Sequence, residues 1–172
     1  MATLNFRFGL TTLMLLATSL STDASAHPDF SEFDELGLYT QSASVTQSGD
    51  LLTADISQSG IGNAAVIIQA NYNNYAEIKQ AGAGNLAMAY QDGVGNEIYI
   101  TQTGYANVAV TGQIGNGNYI DVNQVGTGNE AYILQTGDGH RLELNQYHSK
   151  EPFYMWRAGI GSSTTITHGS PN

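Results

Sequence analysis

Few side chains in this sequence are placed for proton or metal chemistry. His27, His140, His148 and His168 are none of them spaced with a nucleophile, and no H-E-x-x-H, G-x-S-x-G or P-loop pattern occurs. His140 stands one glycine beyond Asp138, a spacing that suggests an acid-base pair, but its position in a repeat makes it a substitution in a terminal unit. Asp55 with Glu77, and Asp121 with Glu143, are carboxylate pairs 22 residues apart. Two carboxylates on an open face are weak cation ligands, so solvated charge is expected there. The chain has no cysteine. Neither an enzyme, a metal site nor a cofactor follows from these residues.

The chemistry that the sequence does repeat is that of the amide. Gln47, Gln58, Gln69, Gln80, Gln91, Gln102, Gln113, Gln124, Gln135 and Gln146 form an unbroken series in steps of 11. With each glutamine as position 0, glycine stands at +2 in all but one of the first nine units, Asn71 being the exception. Asparagine stands at +5 in Asn63, Asn74, Asn85, Asn96, Asn107, Asn118 and Asn129. Spacing this regular defines a repeat protein.

The elements that must position these amides follow from alternation. Small or branched apolar residues fill +7 (Ala65, Ala76, Ala87, Ile98) and most of +9 (Ile56, Ile67, Ile78, Ile100), so +5, +7, +9 and +11 point one way and +6, +8 and +10 the other. Charge agrees: Asp55, Glu77, Lys79, Glu97, Asp121, Glu130, Arg141 and Glu143 all fall on the outward set. Four residues, most often x-Gly-x-Gly, remain as an arc in which glycine permits the reversal.

A hairpin meander gives no reason for Asn and Gln to hold fixed inward slots, whereas stacking in register lets their amides hydrogen-bond along the stack. Two units therefore make one 22-residue coil of an all-β, two-sheet β-solenoid. One ladder runs through Gln47, Gln69, Gln91, Gln113 and Gln135, the other through Gln58, Gln80, Gln102, Gln124 and Gln146. Twelve strands give six coils, a stack of about 29 Å at ~4.8 Å per rung.

The flanks read differently. Residues 1–26 combine one cation (Arg7), an apolar run and the small-residue site Ala24-Ser25-Ala26, the pattern of a secretory signal peptide cut before His27. Residues 27–40 form an acidic polar leader, 41–168 the repeat and 169–172 a tail. With a net charge of −10 and five Lys plus Arg, the chain is a poor phosphate binder, and no nucleic-acid partner is expected. No small-molecule substrate is expected either.

The pattern N-x-A-x-x-x-Q joined by x-G-x-G, as in "NYAEIKQAGAGNLAMAYQDGVGN" (Asn74 to Asn96), resembles the curlin repeat of bacterial curli subunits. The signal peptide and the leader "HPDFSEFDELGLY" are similar in place to those of that family. The resemblance implies an extracellular functional amyloid that assembles with other curlin subunits, is exported through an outer-membrane secretion pore, and serves adhesion and biofilm matrix as a cell-surface fibre.

The repeat's last units change chemistry while keeping register. The Gln slot passes to Arg157 and His168, the Asn slot to His140, Glu151 and Ser162, and Lys150, Pro152 and Trp156 enter the sixth coil. Within curlins a divergent last repeat resembles the minor, nucleating subunit; the major subunit is the alternative. A monomeric, capped solenoid used for binding is the second alternative. Calcium solenoids are a weaker match, having a period of nine and Asp-rich turns.

The two outer faces also differ. One sheet presents Val66, Ile68, Leu86, Met88, Tyr90, Val108, Val110, Tyr132, Leu134, Tyr154 and Trp156, an apolar face expected to dock to a second protofilament, the outer membrane or its export machinery, or the leader. The other sheet presents acids, tyrosines and amides.

Overall fold

A computed structural model describes residues 40–149 and 151–170. The expected signal peptide, nearly all of the leader, the last two tail residues and Lys150 lie outside the described residues. Ten strands follow one another: β1 (Ser42–Asp50), β2 (Thr53–Ile61), β3 (Ala64–Tyr72), β4 (Tyr75–Ala83), β5 (Leu86–Val94), β6 (Glu97–Tyr105), β7 (Val108–Asn116), β8 (Tyr119–Thr127), β9 (Glu130–Tyr147) and β10 (Phe153–Gly169).

Among β1 to β8, consecutive strands do not pair. Each of β1 to β7 bonds in parallel to the strand two further on, Gln47 opposite Gln69 in β1–β3 and Gln58 opposite Gln80 in β2–β4, so the register offset is 22 residues throughout these pairs. The result is a parallel β-solenoid of six coils. β9 and β10 each form a whole coil, β9 pairing with β7 through its first half and β8 through its second. This is why twelve expected strands become ten: the pairing of β10 on β9 continues around the corner, Ile160 opposite Asp138 and Ser162 opposite His140.

The arcs are shorter than the expected four residues. Strands β1 to β8 have nine residues each. They run through the +2 glycine to position +3 and leave a two-residue corner. The reason lies in how closely the coils approach: a Cβ on Gly82 would stand 2.0 Å from Gly104 O, and one on Gly115 2.1 Å from Gly137 O. Glycine at +2 thus keeps adjacent arcs within hydrogen-bonding distance. At +4 the space is open, and φ near +60° serves Gly84 (66°) and Ala106 (53°) alike.

The core between the sheets is built in layers. Ala87 and Ala89 of β5 face Ile98 and Ile100 of β6, and Ala131 and Ile133 face Leu142 and Leu144 within β9, all of them buried. Alanines and branched residues together fill a narrow interior, each buried Ile contributing roughly 1.5–3 kcal/mol. Thr111, buried in the same layer, satisfies its hydroxyl on Met88 O at 3.1 Å.

Candidate functional site

Every glutamine from Gln69 to Gln146 is buried. Along the first sheet Nε2 donates to Oε1 one coil on: Gln47 to Gln69 and Gln69 to Gln91 at 2.8 Å, Gln91 to Gln113 at 3.1 Å, Gln113 to Gln135 at 3.2 Å. Along the second, the steps from Gln58 through Gln80, Gln102 and Gln124 to Gln146 measure 2.7–2.8 Å. From Gln58 to Gln146 each Nε2 also reaches a backbone carbonyl at the start of the other sheet's strand, as Gln91 does to Tyr75 O at 2.9 Å. The amide ties coil to coil and sheet to sheet at once.

The asparagines sit at the corners just before each strand and point their donors the other way. Asn85 gives its backbone N–H and Nδ2 to Asn63 Oδ1, both at 3.0 Å, and Asn107 does the same to Asn85. Asn96 and Asn118 repeat it on Asn74 and Asn96. Nδ2 then meets the +2 carbonyl of the following coil, as Asn118 does at Gly137 O, 2.7 Å. In the first coil Gln41 makes the equivalent bond, to Gly60 O at 2.7 Å.

Two further columns lie outside the expected ladders. On one arc Val94 N donates to Asn116 Oδ1 at 3.2 Å, and Asn116 N to Asp138 Oδ1 at 2.8 Å. On the polar face Tyr75, Tyr99 and Tyr119 form a ring column with centroids 5.3 and 5.7 Å apart, closed by the Arg141 guanidinium 3.9 Å from the Tyr119 centroid. Burial, with Glu97 beside it, pushes the Tyr99 hydroxyl up to about 12. The +3 slots of Asn116 and Asp138, 22 residues apart, carried the signal for the first; the tyrosines alternate between +6 and +8 and so escape a column-by-column reading.

One carboxylate of each pair is ion-paired from its own strand. Asp55 and Glu77 are neighbours across β2–β4, with Lys79 Nζ 2.6 Å from Glu77; Asp121 and Glu143 are neighbours across β8–β9, with Arg141 2.6 Å from Glu143. Burial first, and Glu143 besides, raise the Asp121 carboxyl above its ordinary range, while Arg141 lowers that of Glu143. Among the described residues no cluster of His, Asp and Glu is arranged to hold a metal ion.

The sixth coil interrupts the ladders. Gln135 Nε2 bonds Tyr119 O at 3.3 Å. Arg157, opposite it in register, turns to Ser162 Oγ (2.7 Å), to Thr164 Oγ1 and to Met155 Sδ (3.2 Å). His140 is buried in its asparagine slot: its N–H donates to Asn118 Oδ1 and its Nδ1 meets Ser162 Oγ at 2.9 Å, so Asp138 is not its partner. The next asparagine slot is not filled by Glu151, as the spacing of 11 predicts, but by Ser149, whose N–H donates to Asn129 Oδ1 at 2.7 Å. With His148 rather than glycine at +2, the corner comes two residues early, His148 itself taking φ 49°. Register is recovered at Phe153 opposite Ala131. His168, opposite Gln146, meets Ser149 Oγ at 3.0 Å through Nδ1.

The apolar outer residues stand in register columns: Val66, Met88, Val110, Tyr132 and Tyr154 in one, Ile68, Tyr90, Gly112, Leu134 and Trp156 in the next, Leu86 and Val108 in the third. Tyr132 and Tyr154 stack at 5.2 Å, and Tyr154 and Trp156 are 70% and 74% exposed. Glu130 breaks the third column and accepts from the Tyr132 hydroxyl at 3.4 Å.

A two-sheet solenoid of near-identical coils, with amide ladders through its interior and, among the described residues, strand edges left unpaired at both ends, is a self-complementary structural protein. The sequence profile of the curlin-associated repeat matches residues 73–104, 96–126 and 115–147, and these three matches support the curlin family. The chain is a curli-type amyloid subunit; that family consists of extracellular fibre components, not enzymes. No curated protein and no solved structure matches the chain significantly.

Proposed function

We propose that this chain is the minor subunit of a curli-type fibre, the one that nucleates polymerisation or anchors the fibre at the cell surface. The observation that supports it is the sixth coil: β10 keeps the register of the stack, yet its ladder slots hold Arg157 and His168 in place of glutamine. Five coils with amide ladders supply a template edge at β1 and β2, and the sixth marks one end as different. The leader addresses the chain to an outer-membrane secretion pore. The apolar sheet face packs laterally on a second stack, its columns of Val, Met and Tyr side chains interdigitating.

The test is thioflavin-T fluorescence against time for the chain from His27 onward, alone and at substoichiometric dose with a slowly polymerising curlin from the same host. The expected result is fibres of the chain alone and loss of the partner's lag. Fibres with an unchanged partner lag point to a major subunit, and a lasting soluble monomer overturns the amyloid reading in favour of a capped solenoid.

A further inference from the structure

The hydrogen bonds of the glutamine ladders have one direction, so the two ends of the molecule offer different groups. Every step sends Nε2 toward the C-terminal coil and receives at Oε1 from the N-terminal side. At the N-terminal edge Gln47 and Gln58 donate onward to Gln69 and Gln80, and among the described residues nothing donates to their Oε1 atoms. That edge offers acceptors. At the other edge the slot holds Arg157, which has five N–H donors and no acceptor, and His168.

Within the chain this substitution is a defect. Gln135 has an Nε2 proton for the next coil, and Arg157 has no lone pair to take it, so two donors meet. A structural role inside the monomer would call for glutamine. Seen from above the sixth coil, the same guanidinium is in order: a ladder pointing this way must present donors at its C-terminal end, and three of its bonds are turned back within its own coil, leaving N–H groups over.

We infer that Arg157 of one copy donates to Gln47 Oε1 of a second copy of this chain, so that in this glutamine column a donor end meets an acceptor end head to tail. The inference rests on the fibre reading above and names its junction. Register carries it: Arg157 and Gln47 belong to one column in the repeat of 22, as do His168 and Gln58. The same stacking sets Met155 over Val45, which is 47% exposed at the free edge, and brings the arc of Gly49 onto Gly159. A Cβ on Gly159 meets nothing, whereas one on Gly137 meets Gly159 O at 1.9 Å, so the close approach that joins every other coil is left open there.

Two substitutions test the junction without depending on how well either variant folds. Arg157→Glu places acceptor against acceptor, and Gln47→Arg places donor against donor, so each alone slows seeded elongation by about tenfold or more. Mixed in equal amounts, the two variants make matched junctions wherever they alternate, a carboxylate facing a guanidinium and then Arg157 facing Gln47, and elongation returns as an alternating copolymer. Arg157→Gln, which restores the amide column, elongates at least as fast as the parent. Elongation of Arg157→Glu alone at the parental rate, or a mixture no faster than its components, overturns the junction while the fibre stands. A parent chain that forms no fibres overturns the fibre reading itself.

Discussion

Asn129 gives both its backbone N–H and its Nδ2 to one atom, Asn107 Oδ1, at 3.1 and 2.8 Å across one coil boundary. Asn107 in turn sends Nδ2 forward to Gly126 O at 3.1 Å and back to Asn85 Oδ1 at 3.0 Å. One buried side chain therefore joins three coils. Asn107→Ala strands the Asn129 N–H in a dry corner, at about 1–3 kcal/mol for each orphaned group. The guanidinium midpoint for fibre dissociation is expected to fall. Gln41→Ala, which removes the equivalent bond at the exposed first coil, leaves the midpoint nearly unchanged.

Glycines two residues apart are expected to respond oppositely to alanine. In Gly82→Ala the new methyl meets Gly104 O at 2.0 Å, a backbone atom that moves only if the coils separate, so a loss of ~4 kcal/mol or more is expected. In Gly84→Ala the methyl meets open space, φ is 66°, and Ala106 already occupies the same slot one coil on. The cost there is about 1 kcal/mol, that of a left-handed residue. Fibre dissociation midpoints of the two variants measure the difference.

Much of this architecture was legible because the amides are both polar and buried. Gln91 and Asn96 recur where an apolar residue would serve burial better, so their slots had to be inside and stacked. The charges at Asp55 and Glu77 fixed the outside. The arcs were less legible, since pairing through Gly82 depends on the absence of a Cβ against the next coil, which no propensity records. The corner at His148 and Ser149 was hidden by arithmetic: Arg157 still falls 11 residues after Gln146, so an early corner followed by a compensating excess left the spacing intact.

The apolar columns carry a prediction about lateral packing. Val66, Val110 and Tyr132 point away from the core, so replacing the three with threonine leaves the ladders and the rate of seeded elongation in place. Threonine keeps strand propensity and removes apolar area. Electron micrographs of the variant are expected to show single filaments where the parent shows bundles. Unaltered bundling would remove the apolar face from the docking role.

Asp121 makes the stack sensitive to acid in an unusual direction. Its carboxyl is raised by burial and by Glu143 one coil on, partly offset by the Tyr119 hydroxyl and by Arg141. A raised carboxyl binds its proton more tightly folded than unfolded, so its contribution to stability is complete below the ordinary value of 3.8 and is lost as pH rises through the folded value. At neutral pH the ionised Asp121 is a net cost to the β8–β9 step. Asp121→Asn keeps the shape, leaves Glu143 paired with Arg141 and removes the charge. Fibre dissociation midpoints of parent and variant are expected to differ at neutral pH, the variant being the more stable, and to converge as the pH falls below 3.8. A variant less stable than the parent at neutral pH would mean that the Tyr119 hydrogen bond outweighs the burial of the charge.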